Sequence, residues 1–190
     1  MSTMLAYHGK QSVKTKYLKR LKKHREADQL LQSFGYWESG KGCAVGCTIH
    51  GDEHNRYETE LGIPARIAHL EDAIFEALQN DLAKQWPERF LSAIKPGADL
   101  SLVFHWFSAW LLTESGLLTI VDCNREAISL VAGLHSRAAS GEAITPEEWS
   151  AAWSAAWSAR SAAESAAESA AESAAWQKMA DKLIELLAAA

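Results

Sequence analysis

Residues 63–78 read IPARIAHLEDAIFEAL. Apolar side chains recur here at steps of three and four residues, which places them on one face of an α-helix. Pro64 suits the first turn of that helix, because the N–H group that proline lacks has no partner there. The apolar stripe consists of Ile67, Leu70, Ile74, Phe75 and Leu78. The stretch therefore predicts an amphipathic helix packed on a core.

Helical spacings continue on both sides of this stretch. We expect one amphipathic helix over 13–33, helices over 55–79 that break at Gly62, and a short helix over 80–94 interrupted at Pro87. Residues 100–115 are apolar nearly all round, which predicts the central core helix. Residues 118–121 are ambiguous and could form a short strand, whereas 125–137 follow a helical pattern.

A last helix starts at Thr145, since the sequence TPEE combines a capping threonine, a proline at the first position and acids in the first turn. We predict an all-α fold with a compact helical domain over residues 1–140. A long alanine-rich helical extension then covers 141–190. In the segment 149–176 the large residues recur about every four positions among alanines and serines.

The extension predicts self-association. Its tryptophans and alanines form an apolar arc that is too wide for a surface helix. We expect its first half to pack on the domain and its second half to reach another chain, which makes a homo-oligomer through the C-terminal helix. The alternatives are a tryptophan platform for a ligand or nucleobase, and a flexible tail.

Composition excludes several classes of protein. The chain has 190 residues, 48% of them hydrophobic and 23% charged, which excludes collagen, wholesale disorder and a disulfide scaffold. It has no apolar run that could cross a membrane, and the residues MSTMLAYHGK lack the apolar core of a signal peptide. Two of the three cysteines lie four residues apart, which indicates a reducing compartment. We expect a cytoplasmic protein without a membrane partner.

Charge is distributed unevenly along the chain. Eight basic residues precede the first acid, Glu26, although the net charge is −5. The basic stretch Lys14–Arg25 could bind nucleic acid phosphates. A solvated face or a contact between subunits is the favoured interpretation, since no base-reading motif accompanies it.

The glycine-rich loop 35–54 contains two thiols and two imidazoles, the ligand types of a tetrahedral zinc site. The candidate ligands are Cys43, Cys47, His50 and His54. Their spacing is not that of a standard zinc finger. Small buried cysteines with polar histidines at helix ends are therefore the favoured alternative. A third reading is a reactive Cys47 thiol with His50 as its base.

The same loop could bind an anion. Its glycines could leave backbone N–H groups free to surround a phosphate, and Lys41 adds positive charge. A plain turn is the alternative, because no strand leads into the loop as in a Walker motif. The candidate ligand-binding residues are Tyr36, Trp37, Lys41, Gly42 and Thr48.

No catalytic set of convincing specificity is present, so we expect no catalytic residues and a binding protein rather than an enzyme. A metal-dependent hydrolase would use His50 and His54 with Glu58 or Glu60. Other carboxylates, including Asp72 and Glu76, lie on predicted helices without a repeated metal motif. His69 and His105 are expected to be core histidines.

Several segments resemble those of a family of small helical proteins from bacteria and phages, to which no activity is attached. They are GKGCAVGCTIH (40–50), YETELGIP (57–64), LEDAIFEAL (70–78), WPERFLSAI (86–94), GADLS (97–101) and VDCNREAISLVAGLH (121–135). The resemblance covers about residues 7–137 and is compatible with cytoplasmic, phage-related interaction work.

The functional prediction is a protein that captures a small anionic, phosphate-like or nucleotide-like ligand, or that blocks a protein partner. The first alternative is a zinc-structured module that binds nucleic acid. The second is the metal-dependent hydrolase.

Overall fold

The computed structural model describes residues 4–115, 122–152 and 169–190. The predicted all-α fold is confirmed, since these residues form helices and isolated bridges but no sheet. Residues 118–121 and the repeat at 153–168 lie outside the described residues. The chain divides into two compact units, residues 1–101 with 176–190, and residues 102–175. The predicted division into a helical domain over 1–140 and an extension over 141–190 stays a prediction.

The first unit begins with a short 3-10 turn, Ala6–Gly9. Its helices are α1 (Gln11–Glu26), α2 (Ala44–Ile49), α3 (Arg56–Leu61), α4 (Ala65–Ala77) and α5 (Asn80–Ala93). α5 packs against α1 and α4, and the short α2 lies against the same two helices. The break between α3 and α4 is confirmed at Gly62, whose φ of 63° ends α3 in the left-handed region.

Aromatic side chains fill the core of the first unit, and their polar atoms are hydrogen-bonded. Tyr7 Oη donates to Leu91 O at 2.7 Å. Tyr57 Oη donates to Glu71 Oε2 at 2.6 Å, and Trp86 Nε1 donates to Glu71 O at 2.9 Å. Burial raises the pKa of Glu71 to about 8, so this carboxyl group holds its proton at neutral pH.

Two predicted boundaries in the first unit are corrected. α1 ends at Glu26 and not near residue 33, since Asp28 takes a positive φ of 53° and Leu31 N donates to Gly42 O at 2.9 Å. α5 is continuous through Pro87, where an interruption was expected. The buried side chains of Trp86 and Phe90 on either side of the proline stabilise the helix enough to offset the missing hydrogen bond.

The second unit contains α6 (Val103–Thr113), α7 (Asp122–Ala139), α8 (146–152) and the start of α9 (Ser169–Ala189). α6 packs against α7. The start at Thr145 is confirmed: Thr145 N donates to Glu148 Oε2 at 2.9 Å and Glu148 N donates to Thr145 Oγ1 at 3.2 Å, a reciprocal capping box.

The expectation that 100–115 forms the central core helix is wrong. Only Val103 and Phe107 of α6 are buried, and most of its other side chains are half-buried. α6 belongs to the second unit, whereas most of the fully buried side chains among the described residues belong to the first. His105 is half-buried there, and its Nδ1 lies 3.1 Å from Nδ1 of His135.

The C-terminal part of α9, from Trp176, belongs to the first unit. It buries Ala180, Leu183 and Leu187 there. Arg89 Nη2 donates to Asp181 Oδ1 at 3.0 Å, and Lys95 Nζ donates to Ala188 O at 2.8 Å. The apolar face of these last turns therefore packs within its own chain, and the homo-oligomer stays a prediction.

Candidate metal centre

Two glycines of the predicted loop 35–54 allow a close backbone approach, Gly42 just before α2 and Gly46 within α2 itself. A Cβ atom at Gly46 would lie 1.3 Å from Tyr36 O, and one at Gly42 would lie 1.9 Å from the same oxygen. Only a residue without a side chain lets the Tyr36 carbonyl pass so near. These glycines therefore hold the Tyr36 backbone against the start of α2.

Three backbone N–H groups of this loop, at Lys41, Gly42 and Cys43, donate to acceptors within the protein. Lys41 N donates to Glu38 O at 3.0 Å, Gly42 N to Gln29 O at 3.0 Å and Cys43 N to Gly35 O at 3.2 Å. These donors close the loop on itself, and in this arrangement they do not surround an anion.

The five residues predicted to bind a ligand are dispersed. Thr48 is fully buried and its hydroxyl donates to Ala44 O at 2.8 Å. Lys41 is exposed. The aromatic pair splits, because Tyr36 meets the edge of His54 whereas Trp37 stacks on His50 with ring centroids 4.2 Å apart. Gly42 is buried beneath the Tyr36 carbonyl.

Three potential ligand atoms converge where α2 begins beside α4. They are Cys43 Sγ and one carboxylate oxygen each of Asp72 and Glu76, all within 4.8 Å of one another. Cys43 is the N-cap of α2, and its Sγ accepts a hydrogen bond from Gly46 N at 3.5 Å. Asp72 and Glu76 lie one turn apart on α4, so both face the thiol.

His54 adjoins this cluster and is only 7% exposed. Its Nε2 lies 3.4 Å from Asp72 Oδ2. Neither His54 Nε2 nor Asp72 Oδ1 has a hydrogen-bond partner, although both atoms are buried. Buried polar atoms are seldom left unsatisfied, so these two atoms mark a place where a further partner would be stabilising.

Other polar and aromatic groups shape the cluster. Ser33 N donates to Glu76 Oε2 at 2.8 Å, which orients that exposed carboxylate. His69 stacks on His54 with centroids 3.8 Å apart. Tyr36, 40% exposed, contacts the edge of the His54 ring. Burial raises the pKa of Tyr36, and the nearby Asp72 carboxylate adds to the rise. His69 is exposed rather than in the core, because it lies on the outer edge of the α4 face that carries Asp72.

The thiol at this cluster is protonated in the absence of a metal ion. Burial raises the pKa of Cys43 well above its ordinary value, the Gly46 N–H opposes the rise, and the Asp72 carboxylate adds to it. A metal cation bound at this cluster would lower the pKa of Cys43 instead, since its positive charge stabilises the thiolate directly.

The two cysteines and two histidines predicted as zinc ligands do not meet at one point. Cys43 and His54 lie beside Asp72, as described. Cys47 Sγ instead donates to Gly42 O at 3.4 Å, and burial raises its pKa to about 12. His50 Nε2 lies 2.9 Å from His24 Nε2. Cys47 is thus a buried, hydrogen-bonded side chain, and His50 belongs to a separate imidazole pair.

The glutamates considered as hydrolase ligands also have other partners. Glu58 Oε1 accepts a hydrogen bond from Ala65 N at 3.0 Å and so caps α4. Glu60 accepts hydrogen bonds from Tyr17 Oη at 2.5 Å and from Arg56 Nε at 2.8 Å. Both carboxylates therefore stabilise contacts within the helical core through these hydrogen bonds.

Sequence reasoning did not assign Asp72 and Glu76 to the site. The available signal was the run His69, Asp72, Glu76, which repeats at steps of three and four on the predicted α4. The pattern places three potential ligands on one helix face. It does not reveal that Cys43 and His54 face them.

Part of the basic stretch on α1 is used within the protein. Lys14 Nζ donates to Ser92 O at 2.7 Å and to Ile94 O at 2.6 Å, at the end of α5. Arg20 Nη1 donates to Thr48 O at 2.6 Å, and Arg25 pairs with Glu88. Lys16, Lys19 and Lys23 are exposed. A nucleic-acid partner for Lys14–Arg25 stays a prediction.

Among the described residues, no helix has both the length and the apolar character that a membrane crossing requires. Comparisons with known proteins give no further guide: no family model, no curated protein and no solved structure matches the chain.

Proposed function

We propose that this chain is a binding protein that takes a divalent transition-metal ion, with zinc as the best-fitting ion, through Cys43, Asp72 and Glu76. The observation that carries the proposal is the convergence of one thiol and two carboxylates within 4.8 Å. The unsatisfied buried atoms of Asp72 and His54 beside them support it independently.

The donor set favours zinc over magnesium or calcium. A thiolate is a soft ligand that zinc accepts readily, whereas magnesium and calcium prefer oxygen donors alone. Ligand atoms around a tetrahedral zinc ion lie about 3.3 to 3.8 Å apart, given bond lengths of about 2.0 to 2.3 Å. Small rotations of the Asp72 and Glu76 side chains therefore suffice to close the site.

His54 acts in this proposal as a positioning residue. Its Nε2 is 3.4 Å from the Asp72 carboxylate and lacks a hydrogen-bond partner. If the two side chains move slightly closer, the Nε2–H group of His54 donates a hydrogen bond to the Asp72 carboxylate. Histidines and carboxylates that do not bind the metal themselves orient its ligands in this way at many metal sites. Stacking on His69 holds the ring in that direction.

The charge of the site favours holding an ion over catalysing hydrolysis. One thiolate and two carboxylates contribute three negative charges, which exceed the two positive charges of the ion. An over-neutralised ion attracts an anionic substrate poorly and acidifies its bound water less than an ion with neutral histidine ligands. A binding or structural role follows for this site.

The test is a zinc titration of protein purified without chelator, followed by native mass spectrometry and competition with a chromogenic chelator. We expect one zinc ion per chain. Cys43→Ser, Asp72→Asn and Glu76→Gln should each weaken binding by at least about tenfold. Cys47→Ser is the matched control, since this buried thiol lies one turn away and should leave the stoichiometry unchanged.

Substitution of His54 by Gln separates positioning from ligation. We expect zinc to bind this variant with the same stoichiometry and an affinity lowered about tenfold. Wild-type protein that takes up no zinc, or a Cys43→Ser variant that binds as well as wild type, would refute the proposal. Equal losses in Cys43→Ser and Cys47→Ser would favour the two-cysteine set instead.

Capture of a small anion at Lys41 stays a prediction, as does the blocking of a protein partner. The exposure of Lys41 and Tyr36 is compatible with either role. The internal hydrogen bonds of Gly42 and Thr48 give the anion prediction less support than the metal site has.

A further inference from the structure

A basic stripe runs along one side of α1 in the first unit. Four basic residues recur there at the spacing i, i+3, i+4 and i+7, which places them on one face of the helix. They are Lys16, Lys19, Arg20 and Lys23. The three lysines are exposed, and none of them has an ion-pair partner among the described residues. Their charges are therefore available to a partner from outside.

The charge of the basic stripe is not neutralised by its own helix. Lys16 Nζ and Arg20 Cζ lie 4.9 Å and 5.0 Å from the centroid of the Tyr17 ring, which keeps two of the positive charges close together. The single acid within α1 is Glu26. Its carboxylate lies 3.8 Å from Nζ of Lys22, a lysine outside the spacing of the stripe.

A stacked pair of rings adjoins the basic stripe at the end of α2. Arg20 Nη1 donates to Thr48 O at 2.6 Å, so α1 meets α2 at this point. His50, the C-cap of α2, is exposed and stacks on the half-exposed Trp37, with ring centroids 4.2 Å apart. His24 Nε2 lies 2.9 Å from His50 Nε2, which holds the pair against α1. Partly exposed rings therefore lie beside the basic stripe.

The surroundings of this ring pair are mainly positive. Burial lowers the pKa of His50, and three basic neighbours add to the fall: Arg20, His24 and Arg56. Glu60 opposes the fall, but its carboxylate accepts a hydrogen bond from Arg56 Nε at 2.8 Å, so part of its charge is offset. The positive field that disfavours a proton on His50 attracts an anion to the same place.

The net charge of −5 does not prevent a polyanion from binding at this surface. Salt screens exposed charges beyond about 10 Å at 0.1 M ionic strength, so a bound strand responds to the charges near it. Residues 10–25 hold eight of the 19 basic residues and no acid. The acids elsewhere in the chain repel a polyanion from other surfaces and favour this one.

We propose that the basic stripe and the pair of Trp37 and His50 bind single-stranded nucleic acid, with phosphates on the three lysines and a base stacked on the exposed part of the rings. A single strand is favoured over a duplex, because its unstacked bases can reach aromatic side chains. An acidic protein segment would use the lysines alone. None of these residues is a proposed metal ligand, so zinc stoichiometry is an independent measurement.

The first experiment titrates a labelled oligothymidylate of about 12 nucleotides with the full chain and follows fluorescence anisotropy at several salt concentrations. Each phosphate contact on a single strand contributes about −0.7 to the slope of log K against log salt concentration. Three lysine contacts therefore predict a slope of about −2. Substitution of Lys16, Lys19 and Lys23 together by Gln should weaken binding at least about tenfold and bring the slope close to zero.

Two control variants test whether charge and place cause this loss. Substitution of the same three lysines by Arg keeps their charges and should retain both the affinity and the slope of the wild type. Lys22→Gln removes a charge of the same helix that is already paired with Glu26. It should change the affinity by less than about twofold.

An abasic strand of the same length separates stacking from charge. It carries the same phosphates without bases, so it should bind the wild-type protein about tenfold more weakly and with the same salt slope. In Trp37→Leu the two strands should bind about equally, since the stacking partner is lost.

Four results would overturn the proposal. The first is an absence of saturable oligothymidylate binding at low salt, and the second is unchanged affinity in the triple Gln variant. The third is equal binding of the abasic strand and oligothymidylate by the wild type. The fourth is competition by polyglutamate or by duplex DNA that matches competition by the unlabelled single strand, which would indicate an acidic protein segment or a duplex as the partner instead.

Discussion

The Tyr36 carbonyl shows how one backbone atom constrains the residues around it. It passes so close to Gly42 and Gly46 that neither position has room for a side chain. The same contact places the Tyr36 ring edge-on to His54 and the start of α2 beside α4. Two glycines that suggest an anion site in the sequence therefore determine the geometry of the thiol and carboxylate cluster.

Gly46→Ala should destabilise the protein by about 3 kcal/mol, because the new Cβ would lie 1.3 Å from a backbone oxygen that cannot move without opening the loop. Gly133→Ala is the matched control. It also adds one methyl group within a helix, but nothing lies within 4 Å of that Cβ. The control should stabilise α7 by about 0.5 to 1 kcal/mol. Urea denaturation of both variants measures the difference, and equal effects would contradict this account.

His50 gives the pH dependence at the residue scale. Burial lowers its pKa from 6.5 to about 4, and the neighbouring Arg20, His24 and Arg56 add to the fall, whereas Glu60 opposes it. A histidine whose pKa is lower in the folded than in the unfolded state contributes stability at pH values above its unfolded-state pKa. That contribution is lost as the pH falls from about 6.5 towards 4.

The direct measurement is an NMR titration of the His50 ring, with an expected midpoint near 4. The acid-induced decrease in melting temperature over the same interval should be smaller in His50→Asn. Asparagine suits the comparison, since His50 has a φ of 54° and asparagine tolerates the left-handed region. A midpoint near 6.5 would show that the charges around the ring do not act as described.

At the scale of elements, helices were easier to anticipate than their ends. The spacing of apolar residues predicted α4, and the threonine, proline and acids of TPEE predicted the start of α8. The early end of α1 was not predictable, since Leu30 and Leu31 keep a helical spacing in the sequence but pair with Gly42 in the structure. Long-range pairing overrode a local pattern there.

α9 provides the prediction at this scale. Leu183 is fully buried within the first unit, so Leu183→Ala should destabilise that unit by about 3 kcal/mol through the lost side chain and the cavity left behind. Leu186→Ala, at a half-buried position on the same helix, should have a smaller effect. Thermal unfolding and the molar mass from light scattering are measured together. Loss of an oligomer without a loss of stability in Leu183→Ala would show that this face serves a second copy.

At the scale of the whole molecule, the proposed cation site joins elements that are far apart in the sequence. Cys43 is the N-cap of α2, whereas Asp72 and Glu76 lie on α4. The sequence marks α4 only as an amphipathic helix, because the role of its polar face depends on residues from other parts of the chain that contact it.

The sequence by itself determined the helical class, most helix starts and the pool of candidate ligands, because periodicity, caps and residue chemistry are local properties. It supplied Cys43 and His54 as candidates but joined them to Cys47 and His50, which are near in the chain. Tertiary structure alone decided that Asp72 and Glu76 face Cys43, and that the last turns of α9 pack on the first unit. Both outcomes depend on contacts between residues far apart in the sequence, where the packing of whole helices sets which side chains meet.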